Sequence, residues 1–446
     1  MKAGAATQII NNELGTQIQG ASVSATVQSI RDDLEANALW LESGDCGVLF
    51  ISVDIGGMEL DYVQQILPEI AAAAGVSADQ IMIGYSHTHS APSVLGPTHP
   101  DKALDEAYLE RLKDWICGIA RDAVSSAEPV TLACGKGRAE IGYNRRVRYA
   151  DGSGAMHGDP TRPDFTGLEG DTDPAHTAFF LRGADGTLKA ILYNSTSHPV
   201  NYYGADFLSA DFPGAARGFL RKVLGNIPVL FFNGALGDIS IYDEEWKARS
   251  PETADQRVAR CAHIIAGETL RLLQHADFKD ALPMGHVRNR FDVSIRHLPA
   301  EQLEWAQGVM ADHRAGKATV GGLDLPTAHM NVLFDERFGN KATETIDLHA
   351  GHIGSFAFAS VPCEMFTHFA VQLKRRSPFE VTALFGITNG DMGYCPTIEG
   401  IMGGSWEGTV SLTSRWEEQA GYRIVDEFSR MLFGLHASGR ASGSSA

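Results

Sequence analysis

The chain has 446 residues, 44% hydrophobic and 21% charged, which is the balance of a soluble globular protein long enough for a substantial core. Lys and Arg number 37 against 55 Asp and Glu, a formal charge of -18, and a surface that acidic repels phosphate backbones and anionic membranes. With no basic run and no stretch of ~18 uninterrupted apolar residues, neither nucleic-acid binding nor a spanning helix is expected.

The opening segment, MKAGAATQIINNELGTQ, lacks the apolar core of an export signal. Cys46, Cys117, Cys134, Cys261, Cys363 and Cys395 are scattered without a CxxC pair, so they read as mostly buried thiols in a reducing compartment. Cytoplasm is the expected location.

Gly47–Asp54 (GVLFISVD) is a short apolar run that predicts a buried strand. Glu59–Gly75 has helical spacing and a closing Gly. Gln80–Ser86 predicts a second strand, Leu104–Ala127 a long amphipathic helix and Val130–Cys134 a further strand. Ala150–His176 is rich in Gly, Pro and Asp and reads as a functional or mobile loop. Strands follow at Ala178–Arg182 and Leu188–Asn194, a helix at Phe212–Leu224 and a strand at Val229–Asn233. Pro251–Leu273 and Ala300–Arg314 read as helices, whereas Ala315–Ile346 has no clear pattern. Ser355–Val361 and Val381–Gly386 predict strands, and Met365–Arg375 a helix between them. Asp391–Leu412 reads as Gly-rich loop, Thr413–Leu435 as a helix, and 436–446 as a disordered tail. The expected class is α/β, a single large domain over 1–435 with a mixed or parallel sheet flanked by helices.

The segment GYSHTHSAP places His87 and His89 just past a strand, where open α/β sheets bind ligands. On an extended strand end, side chains at i and i+2 share a side, and two converging neutral imidazoles can begin a Zn site. Other polar residues follow strands in the same way: Asn144, Arg145 and Arg146; His198; Asn233, Asp238 and Ser240; Glu364; and Tyr394. Loops after parallel strands gather at one edge, so these groups can converge there.

Taken in order, HTHSAP, NRR, SHPVN, SADFPG, NGALGDIS, VPCEMF and GYCPT resemble the neutral ceramidase family in its N-terminal catalytic domain, over about residues 45–435. The resemblance implies one Zn ion per chain, held by His87, His198, Glu364 and Tyr394. It implies an acid/base role beside the metal for His89, and substrate or oxyanion binding for Arg145. It places Ser240 where the family carries a proposed nucleophile. Here Ile241 and Tyr242 follow that serine instead of the family's Pro and Asn, which weakens the nucleophile role. Asp238 reads equally as a catalytic group or as a turn acid or partner of a ligating His, and Asp211 equally as a catalytic group or as a helix cap.

The chemistry so implied is hydrolysis of an amide, or of an ester, by metal-activated water or by Ser240. An acidic chain without an export signal or bilayer-docking segment leads us to expect a soluble small-molecule substrate. Three alternatives stay open: a ceramidase proper acting on an N-acyl sphingoid lipid, a catalytically inactive binding or assembly protein, and another metal hydrolase such as an amidohydrolase. Mn or Fe in place of Zn and a homo-oligomer also stay open.

Overall fold

The computed structural model describes residues 1–18, 25–96, 99–244, 252–317 and 324–443, with side chains up to residue 438. Twelve main strands carry the fold. Eight are β1 (Lys2–Ile9), β2 (Glu35–Ser43), β3 (Cys46–Val53), β4 (Ile81–Tyr85), β5 (Glu128–Arg138), β6 (Ala175–Gly183), β7 (Leu188–Ser195) and β8 (Val229–Asn233). They form one sheet in the order β8-β7-β6-β5-β1-β2-β3-β4. The other four, β9 (Met284–Ser294), β10 (Thr343–Ile353), β11 (Phe356–Ser360) and β12 (Val381–Phe385), form a second sheet in chain order.

The class expected from the sequence holds, with two face-to-face sheets where one was expected. Between them lies an aromatic core. Phe50 meets Phe232 and Phe358 edge-on at 6.0 and 5.4 Å, Phe358 stacks on Phe385 at 5.8 Å, and Phe179 meets Phe356 at 4.2 Å. Aromatic pairs at these separations add about 0.5–1.5 kcal/mol each beyond the area they bury.

Helices cover both outer faces. On the large sheet, α1 (Leu60–Ala74) and α2 (Glu106–Ser125) lie on β1–β4, and α3 (Asp211–Leu224) and α4 (Ala254–Gln274) on β5–β8. α1 ends at Gly75, whose φ of 70° lets its N–H reach Ala71 O, and α4 opens on a capping box of Thr253 and Gln256. The segment without a clear pattern holds part of a helical hairpin, α5 (Ala300–Arg314) and α6 (Asp324–Phe338), and the start of β10. α7 (Thr367–Arg376) and α8 (Ala420–Gly443) cover the small sheet. The closing helix therefore begins later than Thr413 and runs into the segment read as a disordered tail; residues 444–446 lie outside the described ones. Among the described residues no helix is long and apolar enough to cross a membrane.

The sheets are mixed. Most neighbours are antiparallel, but β3–β4, β7–β8 and β11–β12 are parallel. The chain segments leaving the C-terminal ends of these three pairs carry almost every site residue described below.

His176, at the start of β6, shows how a polar group is accommodated away from that site. Thr269 Oγ1 gives its hydrogen to Ile265 O, so it accepts from His176 Nε2 (3.0 Å), and His176 Nδ1 accepts from Ser195 Oγ (2.7 Å). Burial pushes the His176 pKa down to about 4. The folded state thus binds fewer protons than the unfolded chain between pH ~6.5 and about 4. The stability tied to the neutral ring is full above pH ~6.5 and is lost as pH falls toward about 4. Urea midpoints at pH 7 and 5 should show the wild type losing about 2 kcal/mol more on acidification than His176→Gln. Equal losses would remove His176 from the acid response.

Candidate active site

His87 and His89 leave the end of β4, though not on an extended strand as the sequence predicts. His87 has a left-handed backbone (φ 68°), which turns the chain, and its ring still meets that of His89 at 4.9 Å between centroids. His87 Nδ1 bonds Gly56 O, which follows β3. His198, past β7, directs Nδ1 at Leu236 O (2.8 Å) and Ile239 O (2.9 Å), which follow β8. Carbonyls only accept, so both rings carry hydrogen on Nδ1 and leave the Nε2 lone pair for the centre.

Glu364 and Tyr394 arrive side by side because Glu364–Met365 and Tyr394–Cys395 form a small parallel pair in register beyond β11 and β12. Glu364 Oε2 lies 3.0 Å from His198 Nε2 and 3.7 Å from His87 Nε2. The Tyr394 hydroxyl bonds the Glu364 carboxylate and accepts from Arg145 Nη2 at 3.2 Å. Arg145 is brought in by the pairing of Tyr143–Asn144 with Ile239–Ser240. Its Nη2 also donates to Gly237 O (2.9 Å), and its Nε donates to Glu407 Oε1 (3.0 Å).

Burial lowers the pKa of His198 and His89 well below the ordinary histidine value; neighbouring Arg145 and His87 add to the effect for both. Burial raises that of the Glu364 carboxyl against the pull of His87 and Arg145. Burial also raises the Tyr394 phenol, helped by Glu364. Burial alone would lower the Arg145 pKa, but Tyr394, Glu407 and Glu364 outweigh it and hold the guanidinium protonated.

These groups fit a metal. His198 Nε2 and Glu364 Oε2 are buried with no hydrogen-bond partner, as are both ring nitrogens of His89. A lone pair facing a carboxylate oxygen at 3.0 Å is repulsive unless a proton or a metal cation lies between them. His87, His89 and His198 also each bring a ligand atom within 4.8 Å of the others, so His89 is a further group that could hold a metal.

The remaining expected residues divide. Ser240 is wholly buried, its Oγ accepts from Tyr242 N (3.3 Å), and it is not among the residues lining the cavity. Asp238 accepts from Asn144 Nδ2 (2.8 Å) and Thr367 N (2.7 Å), a joint between segments, with burial raising its pKa to about 6. Asn233 clamps Ser86 O and Ser197 O through Nδ2. Asp211 is the first residue of α3 and accepts from Asn201 N and Nδ2 and from Phe212 N. Arg146 pairs with Glu169 and Glu407.

The sequence reading missed Asp391, whose Oδ2 lies 3.9 Å from His87 Nδ1 and whose pKa burial and Glu364 raise to about 6. It also missed Asn389, which uses a left-handed backbone (φ 61°) and bonds to Ile81 O and Ile83 N to pin the Asp391–Tyr394 loop on edge strand β4. An acid in NGDMG reads as a turn, so neither residue carried a usable signal.

His87, His89, His198, Glu364, Arg145 and Tyr394 line a cavity of about 1380 Å³. The two segments read as loops, Ala150–His176 and Asp391–Leu412, both line the cavity, through Met156 and His157 from the first and Met392, Trp406 and Leu412 from the second, although the second holds two short helices, Ile398–Gly403 and Ser405–Gly408. The start of α1 and the end of α6 supply Leu60 and Phe338.

No protein-family model and no curated protein matches the chain. Among solved structures it is similar to the neutral ceramidase from Pseudomonas aeruginosa, at a TM-score of 0.73 and 15% identity, over 98% of this chain and 74% of that one. It is similar also to a ceramidase complexed with C2, at a TM-score of 0.71 and 14% identity, over 98% of this chain and 75% of the other. The chain has the fold of the neutral ceramidases, as the order of its motifs implied.

Proposed function

We propose that the chain is a hydrolase of an amide bond that uses one Zn ion held by His87, His198, Glu364 and Tyr394. The observation that carries this reading is the pair of unpartnered acceptors, His198 Nε2 and Glu364 Oε2, facing each other on the cavity wall. A zinc ion bound there would supply a Lewis acid for the scissile carbonyl and bring the pKa of a water toward neutrality. Arg145 keeps a permanent charge beside the Tyr394 hydroxyl, where it stabilises negative charge that develops on a carbonyl oxygen. His89 lines the cavity with both ring nitrogens unengaged, so it is placed to pass a proton to the leaving nitrogen. An amine must be protonated to leave, whereas an alkoxide needs this less, and such a group therefore favours amide over ester.

Water is the nucleophile in this reading, since the Ser240 hydroxyl is turned to Tyr242 N. Ser240→Ala is expected to keep kcat within about tenfold of the wild type. A loss comparable to removal of a metal ligand would restore the serine mechanism.

The cavity exceeds the ~300–1,000 Å³ usual for small-molecule sites, and Leu60, Val200, Phe338, Trp406 and Leu412 give it an apolar wall. That favours the amide of an N-acyl sphingoid lipid over a small polar one. The six cysteines are all unpaired, which supports a reducing compartment such as the cytoplasm. Zinc-loaded and chelator-treated protein should be incubated with a short-chain N-acyl sphingosine and with N-acyl amino acids, and the released amine measured. Chelator-sensitive release from either class is expected, and the class tells which substrate reading holds. Zinc-replete protein that releases amine from nothing would make the chain an inactive binding protein.

A further inference from the structure

The cavity carries a further histidine–carboxylate pair, His157 with Glu244, that hydrolysis as described does not use. His157 follows the short strand Gly154–Met156, and its backbone is left-handed (φ 53°). A residue with a β-carbon keeps that conformation only where its surroundings impose it. Here the His157 N–H donates to Arg145 O at 2.8 Å, which ties the turn to the wall that presents the arginine. Nδ1 of the ring is bonded to Glu244 Oε1. The Glu244 side chain is 2% exposed, whereas the ring is 28% exposed and lines the cavity. Tyr242, also on the wall, braces the ring edge-on at 5.7 Å.

A carboxylate only accepts, so the hydrogen of the neutral ring lies on Nδ1 and Nε2 is an acceptor. The partner that suits it is a neutral donor. A carboxylate substituent offers no hydrogen, an ammonium brings a charge that Nε2 does not need, and a hydroxyl supplies a hydrogen without one.

We infer that His157, oriented by Glu244, is a specificity-determining residue whose Nε2 accepts a hydrogen bond from a substrate hydroxyl near the amide being cleaved. The inference rests on the amide reading for the position of the substrate. Its test separates the two.

Binding to zinc-loaded protein would be measured by calorimetry for N-ethyllauramide, for N-lauroylethanolamine, and for the N-ethyl amide of α-hydroxylauric acid. The three share an amide and a chain, and the second and third add a hydroxyl on one side or the other. At least one hydroxylated compound should bind about tenfold more tightly than N-ethyllauramide. The preference should vanish in His157→Phe, which keeps the shape, and largely survive in His157→Gln, whose carbonyl oxygen accepts. Glu244→Gln should reduce it by letting the ring turn. Should His157→Phe not fold, the Gln variants decide. A purely structural role would lower the melting temperature and leave the affinity ratio alone.

Equal binding of the three compounds by the wild type, or binding of none, overturns the inference, as does an undiminished preference in His157→Phe. Release of ethylamine from N-ethyllauramide reports separately on the hydrolase reading, because that compound has no hydroxyl.

Discussion

His198→Ala is expected to leave the protein without zinc and to lower kcat/KM by on the order of 10³ or more. Elemental analysis and a hydrolysis assay on the same preparations check both. The expectation follows from the two faces of the ring. Its Nδ1 spends its hydrogen on Leu236 O and Ile239 O, which fixes the tautomer, and its Nε2 is left 3.0 Å from Glu364 with nothing between. Removing the ring takes away a donor atom and leaves those two carbonyls without this partner, so a melting curve must accompany the assay. His87→Ala should lose zinc as well. His89→Ala separates the two donor sets that the geometry allows. If His87, His198, Glu364 and Tyr394 hold the ion, His89→Ala keeps about one zinc per chain and loses activity through proton transfer. If the three histidines hold it, His89→Ala loses both. An active, zinc-replete His198→Ala protein would sink the metal assignment in either form.

The site was legible in the sequence to the extent that its strands were. GVLFISVD, QIMIGYS and VLFFN are buried on both faces, between a helical layer and the second sheet, and so read as unbroken apolar runs. The polar residues that follow such runs have to lie at strand ends, which is why His87, His198 and Glu364 could be placed together. β1, with its alternation of small and polar residues, and β9, half-exposed at a sheet edge, lack that signature. Without β9 and β10 the second sheet could not be foreseen. α6 buries Asn331 beside Met330 and Phe334, and it carries Pro326 in its first turn, so no clean apolar stripe marked it. The pairing of Glu364 with Tyr394, the turn at His87 and the Asn389 clamp are tertiary facts. Each depends on contacts between segments far apart in the chain, and local pattern carries none of them. Ser240 shows the converse: its motif was legible, but the hydroxyl's direction is set by the Tyr242 N–H two residues on.

The largest effect on stability is expected at Glu407, which none of the sequence motifs includes. Its side chain is 0% exposed and lies between two buried guanidiniums, with Oε1 3.0 Å from Arg145 Nε and Oε2 2.8 Å from Arg146 Nη1. Glu169, 2.8 Å from Arg146 Nε, supplies the second negative charge, so the four groups balance. Glu407→Gln keeps the shape and removes one charge. Arg146 retains Glu169 and the carbonyls of Gly400 and Gly404, whereas Arg145 is left with Gly237 O and the Tyr394 hydroxyl. Breaking a buried pair by neutralising one partner typically costs about 3–5 kcal/mol, because the other charge stays buried without its counterion. Urea unfolding of Glu407→Gln should show a loss of that order. Removing Arg145 together with Glu407 should recover part of it, since the stranded charge is then gone. The same swap tests how the site is held. Arg145 without Glu407 is free to swing from the Tyr394 hydroxyl toward Glu364, the remaining carboxylate that acts on it most strongly, and into the place assigned to the metal. Zinc affinity should therefore fall in Glu407→Gln and return in the double variant, although neither residue is a ligand. If the single variant is as stable as the wild type and binds zinc as tightly, the network is a bystander, and Arg145 is positioned by Gly237 and Tyr394 alone.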